Sequence, residues 1–407
     1  MKKTFQTPEL LAPAGNFEKL EIALHYGADA VYLAGKDFSL RNFSGNFTNA
    51  ELSEAVRFAR KTGKKIYLAC NIYSRSQEQK EIETFLEQVG KIDPDAVIIS
   101  DPGIIRMAKQ IIPDMDIHLS TQANTTNVSS ANFWYDMGIK RVNLARELSI
   151  DEIRMFKNRT KAETEVFIHG AMCVSYSGRC LLSSFLSNRD SNRGLCSHPC
   201  RWKYSVVEEL RPNEYHSLME DNRGSYIFNS KDLCMIEHIP QLMSAGITSF
   251  KIEGRMKGIN YLASVVKTYR EAIDTYVAAP DTYKTNPDWL EELYHVFHRD
   301  YSTGFFFSNP EEQQPNYLNR HRGKIHSFIG KITGIGPADN EYTIEIRNKL
   351  CHTDLIEVIS PGRPPKTSNI LNFCDKNRVS LQSGHPNTTA RIKLEIDCQP
   401  NDIVRKK

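Results

Sequence analysis

Short apolar runs recur about every 20–30 residues through the first part of the chain, each followed by a stretch with helical apolar spacing. The runs are Leu10–Ala12, Ala30–Leu33, Lys65–Ala69, Ala96–Ser100, Ile117–Ser120, Arg141–Leu144 and Glu165–Ile168. Between them lie the helical patterns Phe17–Tyr26, Asn49–Lys61, Glu78–Val89, Ile104–Ile112, Ser129–Met137 and Ile150–Lys157. Gly27, Gly63 and Gly138 stand just past three of these, where a helix turns out through a left-handed residue. A strand that must return parallel to its predecessor needs such a helical crossover, so the alternation predicts an α/β fold with a parallel sheet. An eighth run, Ser249–Ile252, precedes a helical pattern from Asn260 to Ala278. Eight units predict a TIM-type (β/α)8 barrel over residues 1–280, with a cysteine-rich insertion at about 170–247. A doubly wound open sheet competes, and the count of eight decides against it.

The 407 residues are 40% hydrophobic and 25% charged, which excludes a disordered or collagen-like chain. No window approaches the roughly 18 apolar residues of a membrane span. The opening segment Met1–Gly15 has two lysines but no apolar signal region. The expectation is a cytoplasmic protein without a membrane partner. Residues 281–325 read as a connector. Residues 326–407 carry short alternating runs (Phe328–Ile332, Glu341–Ile346, Leu355–Ile359, Ala390–Ile396) between turn signals, and predict a small antiparallel β-barrel. Residues 320–407 hold 15 Lys and Arg against 9 Asp and Glu. That surplus, with Asn319–Lys324 and Arg405–Lys407, fits an RNA-binding domain; a solvated surface fits it too.

In a TIM barrel the chemistry sits just past the strand ends. Those positions hold Asn71, Asp101, Gln122, Asn124, Arg146, Glu147, His169, Glu253 and Arg255, and together they predict the rim of a polar pocket. Within the insertion, Cys173, Cys180, Cys196, Cys200 and Cys234 fall close together. Only Cys196 and Cys200 have the tight spacing of a zinc knuckle; the wider Cys173–Cys180 gap suits a 4Fe-4S cluster. Spacing leaves an iron–sulfur centre, zinc and unligated thiols all open.

The run Glu165–Ser183, with its His169-Gly-Ala-Met-Cys173 core, closely resembles the signature of the collagenase-like peptidase family of unassigned catalytic type. Glu9–Gly15, Gly27–Tyr32, Ser120–Ala123 and Lys251–Arg255 are similar to it as well, so the resemblance covers about residues 8–280. It implies either a peptidase or an oxygen-independent hydroxylase of tRNA wobble uridine, ribosomal RNA cytidine or a quinone ring, with prephenate as hydroxyl donor. Cys196-Ser-His-Pro-Cys200-Arg-Trp202 is closest to the tRNA-hydroxylase branch. The resemblance thus implies a 4Fe-4S cluster on Cys173, Cys180, Cys196 and Cys200, with Cys234 as the alternative fourth ligand. It further implies tRNA as substrate and a paralogous protein as a further partner.

Prephenate carries two carboxylates, which calls for cationic side chains; Arg146 and Arg255 are the best placed, with Arg41 and Lys251 behind them. Asn71, Gln122 and Asn124 suit a nucleobase edge and Tyr176 its face, while Glu253 or His169 suits the proton transfer. A peptidase needs an activated nucleophile or metal-held water, and neither G-x-S-x-G nor H-E-x-x-H occurs. A non-catalytic RNA-binding protein with structural zinc is the remaining alternative.

Overall fold

The computed structural model describes residues 7–36, 38, 46–173, 175–193, 195–202, 206–208, 211–216, 220–221, 224–225, 231–307 and 327–407. Eight parallel strands form a closed barrel: Glu9–Pro13, Ala30–Leu33, Lys65–Cys70, Ala96–Ile99, Ile117–Leu119, Arg141–Asn143, Glu163–Ala171 and Ser249–Ile252. Each pairs with its sequence neighbour, and the eighth closes the ring by pairing with both the first and the seventh. Strands buried on both faces read as unbroken apolar runs, as in Ala30–Leu33 and Ala96–Ile99.

The crossover helices start where side chains can satisfy free backbone amides. Thr48 and Glu51 form a reciprocal capping box at the start of Asn49–Lys61, and Ser149 and Glu152 do so for Ile150–Arg154. At the end of Phe17–His25, Gly27 has φ +104°, and a Cβ there would lie 2.6 Å from Arg270 Cγ. The chain therefore requires glycine at that turn. The longest helix, Ile259–Ala278, follows the eighth strand and packs against the first strand and the first helix.

The barrel interior departs from an apolar filling in its lower half. Arg141 bonds Glu9 (2.6 Å) and Glu163 (2.8 Å) and lies 3.6 Å from Glu165, which takes Lys251 at 2.7 Å. Tyr67 and Ser249 donate to Glu9 at 2.5 and 3.0 Å. Arg141, Glu165 and Lys251 are all buried, so these pairs hold only because each charge has partners.

Residues 170–247 add elements outside the ring. Asp232–Cys234 runs antiparallel to the extended seventh strand, and Tyr301–Ser302 pairs beside it. Within 281–325, expected as a connector, lie the helix Pro287–Tyr294 and that short strand. Arg41 and the basic segment 319–324 lie outside the described residues.

The C-terminal domain combines the short antiparallel pair Leu350–Cys351 and Ser383–Gly384 with an antiparallel seven-stranded sheet. Its order is Lys366–Ser368, Ile356–Ile359, Ile403–Lys406, Ser327–Ile335, Glu341–Ile346, Thr388–Leu394, Ile370–Cys374. The two outermost strands are separated by Asn369 alone, so the sheet curls until its edges meet, a nearly closed barrel. It docks along the first helix of the large barrel. The buried Tyr26 hydroxyl donates to Ile359 O (2.7 Å) and accepts from Ile403 N–H (3.0 Å), while Lys331 pairs with Glu18 (3.0 Å). Arg405, expected among the phosphate-docking residues, is instead buried between Glu292 and Glu357, because the last strand carries it into the domain interface. Among the described residues, no helix is long and apolar enough to cross a membrane.

Candidate functional site

A cavity opens at the carboxyl ends of the barrel strands. Asn71, Ser120–Gln122, Asn143, Arg146, Ala171–Cys173, Glu253 and Arg255 line it from the ends of five strands, with Tyr32, Phe167 and Lys251 below. The insertion supplies the opposite wall through Tyr176, Cys180, Asn192, Cys196, His198 and Cys200. Most of the residues expected at the rim therefore meet in one place.

The amides form a linked pair. Asn71 Nδ2 donates to Gln122 Oε1 (3.2 Å), and Gln122 Nε2 donates to Asn71 O (3.2 Å). Ser120 also bonds Gln122 Oε1, and the Tyr73 hydroxyl donates to Gln122 O at 2.6 Å. This network fixes which way each amide faces, as recognition of a base edge demands.

Cations occupy the floor and one side. Arg146 stacks on Phe167, 3.8 Å from the ring centre, and donates through Nη1 to Ala171 O at 2.8 Å. Its Nε is buried and meets no hydrogen-bond partner among the described residues; the same holds for Asn143 Oδ1. Two unmet polar atoms on residues lining one cavity call for a polar ligand. Lys251 lies over the Tyr32 ring (4.6 Å) and Arg255 is buried beside it in the lining. Glu253 accepts from the Tyr32 hydroxyl (3.2 Å), which also donates to Ile252 O. Gly170 makes this approach feasible: at φ +106°, a Cβ there would sit 2.3 Å from Glu253 O.

All four nearer cysteines of the cluster, Cys173, Cys180, Cys196 and Cys200, line the cavity. The His198 N–H points at Cys196 Sγ (3.4 Å), the kind of contact that stabilises a thiolate. Among the described residues no three His, Cys, Asp or Glu groups converge as a single metal ion would require. Four separated thiols around a shared space suit a group larger than one ion.

Five expected residues fall elsewhere. Glu147 is outside the lining. Asp101 instead caps Pro102–Ile111, accepting from the Gly103 and Ile104 N–H groups. Cys234 is buried on Asp232–Cys234, away from the other thiols, and burial pushes it up to about 12. Asn124 sits in the left-handed region (φ 52°) and turns back to donate to Gln122 O (2.9 Å). His169 is packed among Tyr261, Tyr269 and Tyr301, with Nδ1 3.4 Å from the Tyr269 hydroxyl. Period-two alternation puts His169 on the inner face with Glu165 and Phe167. The register against the eighth strand slips between Lys251 and Ile252, and this irregularity turns His169 towards the helix layer. The alternation also hid Asn143 and Phe167 as lining residues, since both lie within strands rather than after them.

Burial pushes His169 down to about 3, with Asp232 pulling weakly the other way. The unfolded chain then binds a proton that the folded chain refuses between pH ~6.5 and ~3. Stability from this group is complete above pH ~6.5 and is lost as pH falls through that window. His169→Gln is expected to flatten the acid side of a Tm-against-pH profile there. An unchanged slope would show that another group governs it.

Residues 15–316 match peptidase family U32, and residues 324–405 match the peptidase family U32 C-terminal domain. The tRNA hydroxylation protein P1 of Bacillus subtilis is 39% identical over 400 residues, 98% of this chain and 94% of that one. The tRNA hydroxylation protein P of Escherichia coli is 37% identical over 395 residues, covering 87% and 86%. A collagenase of Porphyromonas gingivalis is 33% identical over 413 residues, covering 97% and 96%. Both matches, the barrel and the appended β-domain, show that this chain belongs to peptidase family U32.

Proposed function

We propose that the chain is an RNA-modifying enzyme that adds a 5-hydroxyl group to the wobble uridine of tRNA in the cytoplasm, with prephenate as the hydroxyl donor. The observation that carries this reading is the shared lining of one cavity. Thiols, an amide pair and cations line one space at a barrel mouth. The relatives named for tRNA hydroxylation, similar over nearly the whole chain, support the choice of substrate.

In this reading Arg146 and Arg255 hold the donor's carboxylates, with Lys251, paired to Glu165 at 2.7 Å, below them. Asn71 and Gln122 orient the uracil edge, and Tyr176 covers its face at the mouth. Glu253, positioned by the Tyr32 hydroxyl, accepts the proton released at the ring. Cys173, Cys180, Cys196 and Cys200 hold a 4Fe-4S cluster, which supplies one-electron chemistry or Lewis acidity when bound. A thiolate committed to such a cluster is withdrawn from peptide attack, which argues against cysteine-protease chemistry at this site.

The test is mass spectrometry of tRNA nucleosides from cells lacking the gene and any hydroxylase redundant with it. Loss of 5-hydroxyuridine derivatives is expected, restored by the wild type and not by Cys173→Ser. An unchanged tRNA profile would discard the reading and send the search to ribosomal RNA cytidine, quinones and peptides.

A further inference from the structure

Among the described residues, 17 large hydrophobic side chains are exposed, and five of them fall between Tyr176 and Trp202. They are Tyr176 (50% exposed), Leu181, Phe185 (82%), Leu186 and Trp202. The segment that carries them is the insertion wall of the cavity. Tyr176 and Cys180 line the cavity and precede the short helix Leu182–Ser187; Cys200 lines it just before Trp202. An apolar cluster of this kind on the surface marks a binding face. Its charge is basic: residues 171–202 contain four arginines, no lysine and one acid, Asp190, with Arg193 paired to Glu78. Arg179 is exposed with its guanidinium 5.5 Å over the Tyr73 ring, and the Arg75 side chain, 71% exposed, lies 3.9 Å from Asp190. Rings interleaved with guanidinium groups fit unpaired bases joined by phosphates.

The cavity explains why such a face is needed. A base entering it must leave its stack, and its neighbours then lose their stacking partners. We propose that Phe185 and Trp202 form a stacking platform for the unpaired bases flanking the target nucleotide of an RNA loop, with Arg179 and Arg75 on its phosphates. This rests on the reading of the chain as an RNA-modifying enzyme and adds how the loop is held.

The experiment uses the full-length protein and two labelled probes, a synthetic anticodon stem-loop and a blunt RNA duplex of equal length, in fluorescence anisotropy at fixed salt. Phe185→Ala and Trp202→Ala are each expected to weaken stem-loop binding about tenfold, with duplex binding unchanged. Phe185→Tyr, which keeps the ring, should bind as wild type. Arg179→Gln should instead lower the slope of log affinity against log salt by about one. Phe185 is exposed, so Phe185→Ala should fold normally, checked by circular dichroism.

Equal loss on stem-loop and duplex, wild-type affinity in both alanine variants, or no stem-loop preference in the wild type would overturn the platform. So would a change in oligomeric state or loss of a co-purifying protein at unchanged RNA affinity, which would make this face a protein interface. Failure of the modification reading shows separately, as unaltered nucleosides in the deletion strain while the stem-loop preference and its loss in Phe185→Ala persist.

Discussion

Arg405→Ala is expected to lower the stability of the folded chain by about 3–5 kcal/mol, measured by chemical denaturation. The guanidinium, 1% exposed, donates to both oxygens of Glu292 (2.9 and 2.6 Å) and through Nε to Glu357 (2.6 Å). Its removal leaves two buried carboxylates with no cation between them. Burial opposes ionising Glu292, but His295 (Nδ1 at 3.8 Å) and Arg405 outweigh it and hold the carboxyl at about 2. That depressed value contributes stability that is complete above pH ~4.5 and lost as pH falls towards 2. The variant should lose this acid-sensitive component, and pairing Arg405→Met with Glu292→Leu and Glu357→Gln should recover much of the stability. Near-wild-type stability in Arg405→Ala would mean that water reaches the interface.

If the proposed carboxylate donor binds as argued, Arg146→Gln is expected to raise its KM about 100-fold with tRNA affinity unchanged. A buried charged hydrogen bond lost from one side costs about 2–5 kcal/mol, and the unmet Nε of Arg146 is the donor awaiting such a partner. Arg146→Lys should recover little, because an ammonium group lacks the planar fork and the stacking on Phe167. Equal KM in the wild type and Arg146→Gln would move the carboxylate to Lys251 or Arg255.

The barrel was legible because its rule is local. Ala30–Leu33, Asn49–Lys61 and Ser249–Ile252 begin and end where apolar period and caps place them. In the β-domain the runs at Glu341–Ile346 and Ile356–Ile359 were clear, whereas Lys366–Ser368 and Ile403–Lys406 were not. A lysine-rich terminal strand reads as solvated until a partner is seen, and Arg405 finds its partner in Glu292, over a hundred positions earlier. The same limit applies to the site. Strand-end logic found Asn71, Gln122, Arg146, Glu253 and Arg255, but not the slip of register that turns His169 away. Nor does any local pattern join Glu9 to Arg141, because only ring closure brings those strands across from each other.

The docking of the β-domain sets a spacing. Lys331 holds Glu18 at the start of the first helix, and the Tyr26 hydroxyl is clasped by Ile359 and Ile403 at its end. Fastened at both ends of one helix, with Arg405 as a third bolt on Glu292, the domain cannot pivot about any single contact. The molecule is therefore a caliper with a locked jaw. The span between the cavity mouth and the β-domain is thus set by the chain itself, before anything binds.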